Sequence, residues 1–238
     1  MALGTTADAR AVIQLYAVLM ETQSTKSATF YGVWLFLAWT LYVALIYPFL
    51  PTERPVAGIL LGELFRIVIF IVPIVLLIWS SPTSKLVVLR LMPPTYRDMA
   101  IGVIVSVAWV CLTIGGALTI QQKSISYSPS IAFWIVRFSV AATIEELTFR
   151  SYFLQVLQRH GSLLAVVVSS VLFVCIHFPG WYLLEMLSTT AAWISTSIPI
   201  FTLGCLLGIL FLRTTSIWPC VFLHVLNNLT SMILTTAI

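Results

Sequence analysis

Charge is what this sequence has least of. Aspartate, glutamate, lysine and arginine make up 8% of its 238 residues, against about 25% in a typical soluble domain. Hydrophobic residues make up 60%, more than one water-facing core can hide, so the solvent must be lipid. That shortage excludes a soluble globular enzyme, a disordered chain and a nucleic-acid binder. The 12 basic and 8 acidic residues leave a net charge of +4, and the densest basic group, Lys85, Arg90 and Arg97, reads as a cytoplasmic loop.

Other absences narrow the chemistry. There are two aspartates, Asp8 and Asp98, and both lie outside or at the very edge of an apolar block. An intramembrane protease built on an aspartate pair is therefore excluded. No HExxH occurs, so there is no standard zincin helix, and no GxSxG elbow occurs. The four cysteines, Cys111, Cys175, Cys205 and Cys220, form no CxxC and sit in apolar stretches, where they read as small buried hydrophobes. No cleavable signal peptide precedes the first apolar block.

The apolar blocks fall at approximately 30–50, 56–79, 98–120, 131–158, 162–178, 181–195, 196–212 and 216–237, and the breaks between them carry, among others, Arg159–Gly161, Phe178–Gly180 and Ser197–Pro199. A span needs about 20 residues, and the blocks 162–178 and 181–195 are short, so the expectation is an all-α polytopic bundle of six to eight transmembrane helices with its active site inside the bundle. The runs are continuous rather than alternating, which disfavours a β-barrel. Three parts are expected: residues 1–29 as an N-terminal segment with an interfacial helix over Ala11–Met20, residues 30–129 as N-terminal transmembrane helices, and residues 130–238 as the core. Arg10, Lys26, Lys85, Arg90, Arg97 and Arg159 fall on one side if the N-terminus is cytoplasmic, the orientation the positive-inside rule favours. Arg213 has no side until the helices are counted.

Ionisable groups inside lipid mark function or a buried pair. They are Glu63, Arg66, Arg137, Glu145, Glu146, Arg150, His177, Glu185 and His224. Glu146 and Arg150 are four apart with the acid first, about 40° apart on a helix, the favourable order for a salt bridge. Glu145 points about 100° away from Glu146 and has no such partner in its own helix, which leaves it free to act as a base. Gly161 marks a turn, with Glu145 16 residues before it and His177 16 after. Both therefore lie about 24 Å from the turn and at matching depth in a hairpin. Phe173, one turn from His177, is expected to pack beneath the imidazole. His224 and Asn228 share a face at i,i+4, and both can donate to an oxygen that develops negative charge. Asn227 points elsewhere and reads as structural. Glu63 and Arg66 read as an i,i+3 pair, Arg137 as a partner for an acid or a cavity wall, and Glu185 as a residue of the cavity mouth or the interface. Gly204-x-x-x-Gly208 reads as a close helix contact.

Three motifs thus stand in order: Glu145-Glu146-x-x-x-Arg150, Phe173-x-x-x-His177 and His224-x-x-x-Asn228. Together they resemble the CPBP family, the CAAX proteases and bacteriocin-processing enzymes also called the ABI family, which includes the type II CAAX prenyl endopeptidases. The resemblance covers roughly residues 130–238 and shows no departure from the family pattern in any motif. It implies an intramembrane glutamate endopeptidase. In that reading Glu145 is the general base, His177 helps hold the attacking water, His224 and Asn228 form the oxyanion hole, and Glu146, Arg150 and Phe173 support them. No cofactor is then needed. The alternative is zinc held by His177, His224 and Glu145, although Asn228 is a poor zinc ligand and the set is dispersed over three helices. The expected partners are the lipid bilayer and a membrane-associated protein or peptide substrate, with no nucleic acid. Two rival functions are a proton-coupled carrier, which inverted repeats would favour and this sequence lacks, and a non-catalytic immunity or scaffold protein.

Overall fold

The computed structural model describes residues 25–50, 55–79, 88–120, 122–126 and 131–236. The interfacial helix expected over Ala11–Met20 lies outside the described residues. The described chain forms seven helical rods. The first is α1 (Thr25–Leu45), extended by a short 3₁₀ turn, Tyr47–Phe49. The second is α2 (Pro55–Arg66), which runs through a π-helical stretch, Ile67–Ile71, into α3 (Val72–Leu77). The third is α4 (Tyr96–Thr119). The fourth is α5 (Ile131–Glu146), followed without a break by a second π stretch, Leu147–Leu154, and α6 (Gln155–Leu157). The fifth is α7 (Ser162–Cys175) with the single turn α8 (Phe178–Leu183). The sixth is α9 (Thr190–Arg213) and the seventh α10 (Trp218–Ile233). This is an all-α polytopic bundle, as expected, with one small addition: β1 (Lys123–Ile125) pairs antiparallel with β2 (Leu234–Thr236), Ser124 opposite Thr235.

Among the described residues, five stretches are long and apolar enough to cross a membrane: Lys26–Phe49, Ala57–Leu77, Tyr96–Thr119, Ser162–Leu183 and Thr190–Arg213. Their outward faces carry rows such as Leu37, Leu41 and Leu45, or Ile104, Val107 and Leu112, all exposed. In water such rows would be a large apolar patch; in lipid they are the matching solvent. The other two rods form the centre. The rod from Ile131 carries Arg137, Glu145, Glu146 and Arg150, and its π stretch is buried at every residue. Helix α10 packs against α4, α5 and α9, and α7 lies between α9 and the π stretch. The chain is a multi-pass integral membrane protein.

Two expected breaks move. The block 181–195 is not a span: α8 ends at Leu183, and α9 starts afresh at Thr190, where the Thr189 hydroxyl caps the helix by accepting from the Ala192 N–H at 3.1 Å. The expected break at Ser197–Pro199 is absent, and α9 runs straight through Pro199. A proline removes one N–H and can kink or break a helix, but membrane helices tolerate it where neighbours re-satisfy the backbone. Gly161 does make the turn, at φ +111, a conformation side chains resist. The Gly204/Gly208 contact is also present. A Cβ at Gly204 would stand 3.0 Å from Ser170 Cβ, and one at Gly208 would stand 3.2 Å from Leu154 and Val166.

Polar ties lock one end of the bundle. Fully buried Arg90 donates to the carbonyls of Phe211 (2.9 Å) and Thr214 (3.1 Å), closing the C-terminus of α9. Asp98 caps α4 together with Thr95 and also accepts from the Thr215 hydroxyl at 2.6 Å. That employs the one aspartate among the described residues in structure. Arg213 comes to the same end as Arg97 and Arg159.

Candidate active site

The site forms where α5 gives way to its π stretch. A π turn widens the helix and shifts the phase of everything after it, a feature frequent at functional sites. Here two such stretches meet, Ile67–Ile71 directly after Arg66 and Leu147–Leu154 directly after Glu146. Charged side chains from two rods are thereby delivered to one place.

The two adjacent glutamates are used differently. Glu146 is fully buried; its Oε2 lies 3.3 Å from Arg150 Nε, and its Oε1 takes His224 Nδ1 at 2.8 Å. Arg150 is fixed in turn, donating to the Gly204 carbonyl at 3.1 Å and lying 4.5 Å over the Phe173 ring. The pairing expected between Glu146 and Arg150 is therefore present. Glu145 retains 13% side-chain exposure and lines a cavity. It is not without partners, as its own helix suggested: Oε1 lies 3.6 Å from Arg66 Nη1 and Oε2 lies 3.7 Å from His224 Nε2. The His224 imidazole is thus bracketed by the two carboxylates, one on each nitrogen.

His177 closes α7. Its Nδ1 is 2.7 Å from the Phe173 carbonyl. A carbonyl only accepts, so Nδ1 carries the hydrogen and Nε2 of the neutral ring keeps a lone pair. Phe173 is fully buried and meets His177 edge-on at 5.0 Å and His224 at 5.6 Å. It packs beneath the imidazole as expected, and beneath the second histidine and Arg150 as well. Trp181 lies against the other side of His177 at 5.4 Å.

On α10, Asn227 Oδ1 accepts from Trp109 Nε1 at 2.9 Å, and Asn227 Nδ2 donates to Asn228 Oδ1 at 3.3 Å. This relay engages the oxygen of Asn228, and its NH₂ has no acceptor among the described residues. Asn227 is structural, as its direction suggested, and its use is to orient its neighbour.

A cavity of about 440 Å³ gathers Glu145, His177, His224 and Asn228 with Arg66, Arg137 and Ser231. The depth argument about Gly161 thus brings Glu145 and His177 into one cavity. A larger apolar cavity of about 550 Å³ adjoins it, sharing Arg66 and Arg137 and walled by Trp39, Tyr42 and Leu183 among others. Arg137 lines both and lies 4.9 Å over Trp134. Glu185 is exposed in the turn after α8, next to Leu183 and Leu184 of the larger cavity. Among the described residues no three His, Cys, Asp or Glu side chains converge to hold a metal ion. The Arg66 guanidinium beside Glu145 would also repel a dication there.

Residues 127–230 match the family described as Type II CAAX prenyl endopeptidase Rce1-like. The resemblance carried by the three motifs is borne out. All the motif residues fall inside the matched segment. No curated protein and no solved structure matches the chain.

Arg66, Trp39 and Trp109 are the site residues that motif reading passed over. Arg66 stood among the intramembrane charges, but Glu63 three residues earlier satisfied it on paper. That in-helix pair does form, at 3.7 Å. Nothing in spacing along one helix reveals that the same guanidinium also faces a carboxylate on another.

Proposed function

We propose that the protein is an intramembrane endopeptidase that hydrolyses a peptide bond of a membrane-associated protein or peptide. The observation that carries this reading is the division between the two glutamates. One is sealed in a buried ion pair, while the other faces a cavity that also holds two histidines and an amide donor.

Glu145 takes a proton from a water that His177 Nε2 helps to hold, and the oxygen attacks the carbonyl carbon of the scissile amide. The electron pair of the C=O bond moves to oxygen, where Asn228 Nδ2–H and His224 Nε2–H donate to it. His224 then carries both ring protons, its Nδ1–H anchored on Glu146, and the flanking carboxylates compensate its charge. Collapse breaks the C–N bond, and Glu145 returns its proton to the leaving amine. Arg150 neutralises Glu146, and Phe173 supports both imidazoles. No step needs a metal. The apolar cavity next to the site suits an apolar part of a substrate that arrives from the bilayer.

The same reading assigns residues 130–238 to the core that carries the motifs and residues 30–129 to N-terminal transmembrane helices. With seven rods, Arg213 joins the basic end of the bundle, and the positive-inside rule puts that end and the N-terminus in the cytoplasm.

The test is cleavage of a panel of membrane-tethered reporter peptides by the purified protein, with Glu145→Gln alongside and a chelator in a parallel tube. Cleavage that Glu145→Gln abolishes and chelator leaves intact supports the reading. Loss with chelator and recovery with zinc would recast His177 and His224 as ligands. Uptake of a solute without any cleavage would move the Glu/His cluster to a proton relay.

A further inference from the structure

Arg66 lies on α2, far outside the matched segment 127–230. Its Nη1 stands between two carboxylates, 3.7 Å from Glu63 and 3.6 Å from Glu145, and its guanidinium carbon lies 5.4 Å over the Trp39 ring. It forms part of the wall shared by both cavities. Trp39 is itself tightly placed. Its Nε1 donates to the Ile176 carbonyl at 2.9 Å, and its ring stacks on Tyr42 and meets Phe70 edge-on, both near 5 Å. Ile176 immediately precedes His177. One indole therefore ties the end of the helix bearing His177 to the cation that faces Glu145.

An i,i+3 pair accounts for Glu63 and Arg66 taken alone. It does not account for a guanidinium laid on an indole face with its edge toward a carboxylate from another rod. Arginine suits that arrangement, because its planar group can stack through its face and present N–H groups from its edge at once.

We propose that Arg66 is a positioning residue for the Glu145 carboxylate, with Trp39 as the platform that fixes its guanidinium. This rests on the reading of Glu145 as the base. Arg66 meets Oε1 and His224 meets Oε2, so the carboxyl plane cannot turn without losing a partner. Its lone pair toward the attacking water is thereby aimed. A misplacement of about 1 Å at a reacting group costs on the order of 10²-fold. The N-terminal helices are then part of the catalytic apparatus and not only its lipid-facing jacket.

The experiment uses the full-length protein, purified, as Arg66→Gln, Arg66→Lys and Trp39→Phe. It has two readouts. One is kcat and KM on a reporter peptide that the unmodified protein cleaves. The other is labelling of Glu145 by a hydrophobic carbodiimide, followed by mass spectrometry, which needs no substrate. Arg66→Gln should lower kcat by about 10–100-fold, leave KM within about twofold, and raise Glu145 labelling. Arg66→Lys should recover part of both, because it restores the charge without the fork. Trp39→Phe should fall between the two.

The inference is overturned if folded Arg66→Gln keeps its kcat, if lysine does no better than glutamine, or if KM rises while kcat holds. The last result would place Arg66 against the substrate instead. Unchanged labelling in Arg66→Gln would remove the contact itself. If the unmodified protein cleaves no peptide, the proteolytic reading fails separately, and the labelling still decides whether Arg66 governs Glu145.

Discussion

The two neighbouring glutamates should fail in different ways when each is made neutral. In Glu146→Gln a carboxylate that is fully buried between Arg150 and His224 becomes an amide. Arg150, itself fully buried, then keeps its charge without a counter-ion. Among the described residues its other hydrogen bond goes to the Gly204 carbonyl, which cannot neutralise it. Breaking one side of a buried ion pair costs about 3–5 kcal/mol. For a chain of this size each kcal/mol moves Tm by about 2–4 °C, so Tm should fall by about 6–20 °C. Glu145→Gln differs. Glu145 faces a cavity, and its loss leaves Arg66 still paired with Glu63. Tm should move by only a few degrees, while cleavage falls by about 10²–10⁴-fold, the usual worth of a general base. Thermal unfolding in detergent, read by intrinsic tryptophan fluorescence, and reporter cleavage on the same preparations measure both quantities. If Glu146→Gln kept its Tm and lost cleavage while Glu145→Gln still cleaved, the roles assigned here would have to be exchanged.

Asn228→Ala removes the free amide donor and should lower kcat by about 10²–10³-fold, with KM little changed; a rise in KM alone would show a binding role instead. Trp109→Phe cuts the relay that orients Asn228 and should cost about tenfold in kcat, the equivalent of roughly one hydrogen bond; the same loss in Asn228→Ala with and without Trp109→Phe would confirm a shared path. Gly204→Val places bulk against Ser170, where even a Cβ stands at 3.0 Å, and should destabilise by about 1–3 kcal/mol, visible as a lower Tm in the same assay. A chelator should leave the cleavage rate unchanged, and a loss restored by zinc would overturn the metal-free mechanism.

Much of this molecule could be read along one dimension. Low charge and long apolar runs dictate a helical bundle in lipid, because lipid accepts only backbone that bonds within itself. Spacing of three and four along a helix dictates which side chains share a face. It therefore placed Glu146 with Arg150, His224 with Asn228, and Phe173 against His177. The turn at Gly161, with equal lengths on either side, even brought Glu145 and His177 to one depth.

What spacing could not supply is anything that depends on how rods meet. Pro199 looks like a break and is not one, because packing in a bundle decides whether a helix survives a proline. Thr189 starts α9 eight residues before the expected break, a short-range signal hidden inside an apolar run. Glu145 looks unpartnered in its own helix and acquires Arg66 and His224 from two others. His224 becomes the bridge between two carboxylates only once α10 lies against α5, and Asn227, which bonds Asn228, is itself held by a tryptophan on α4. Chemistry-bearing residues announce themselves because lipid makes them costly and therefore rare. Their partners are chosen by tertiary contact, where a single guanidinium can satisfy a neighbour on its own helix and still face a carboxylate across the bundle.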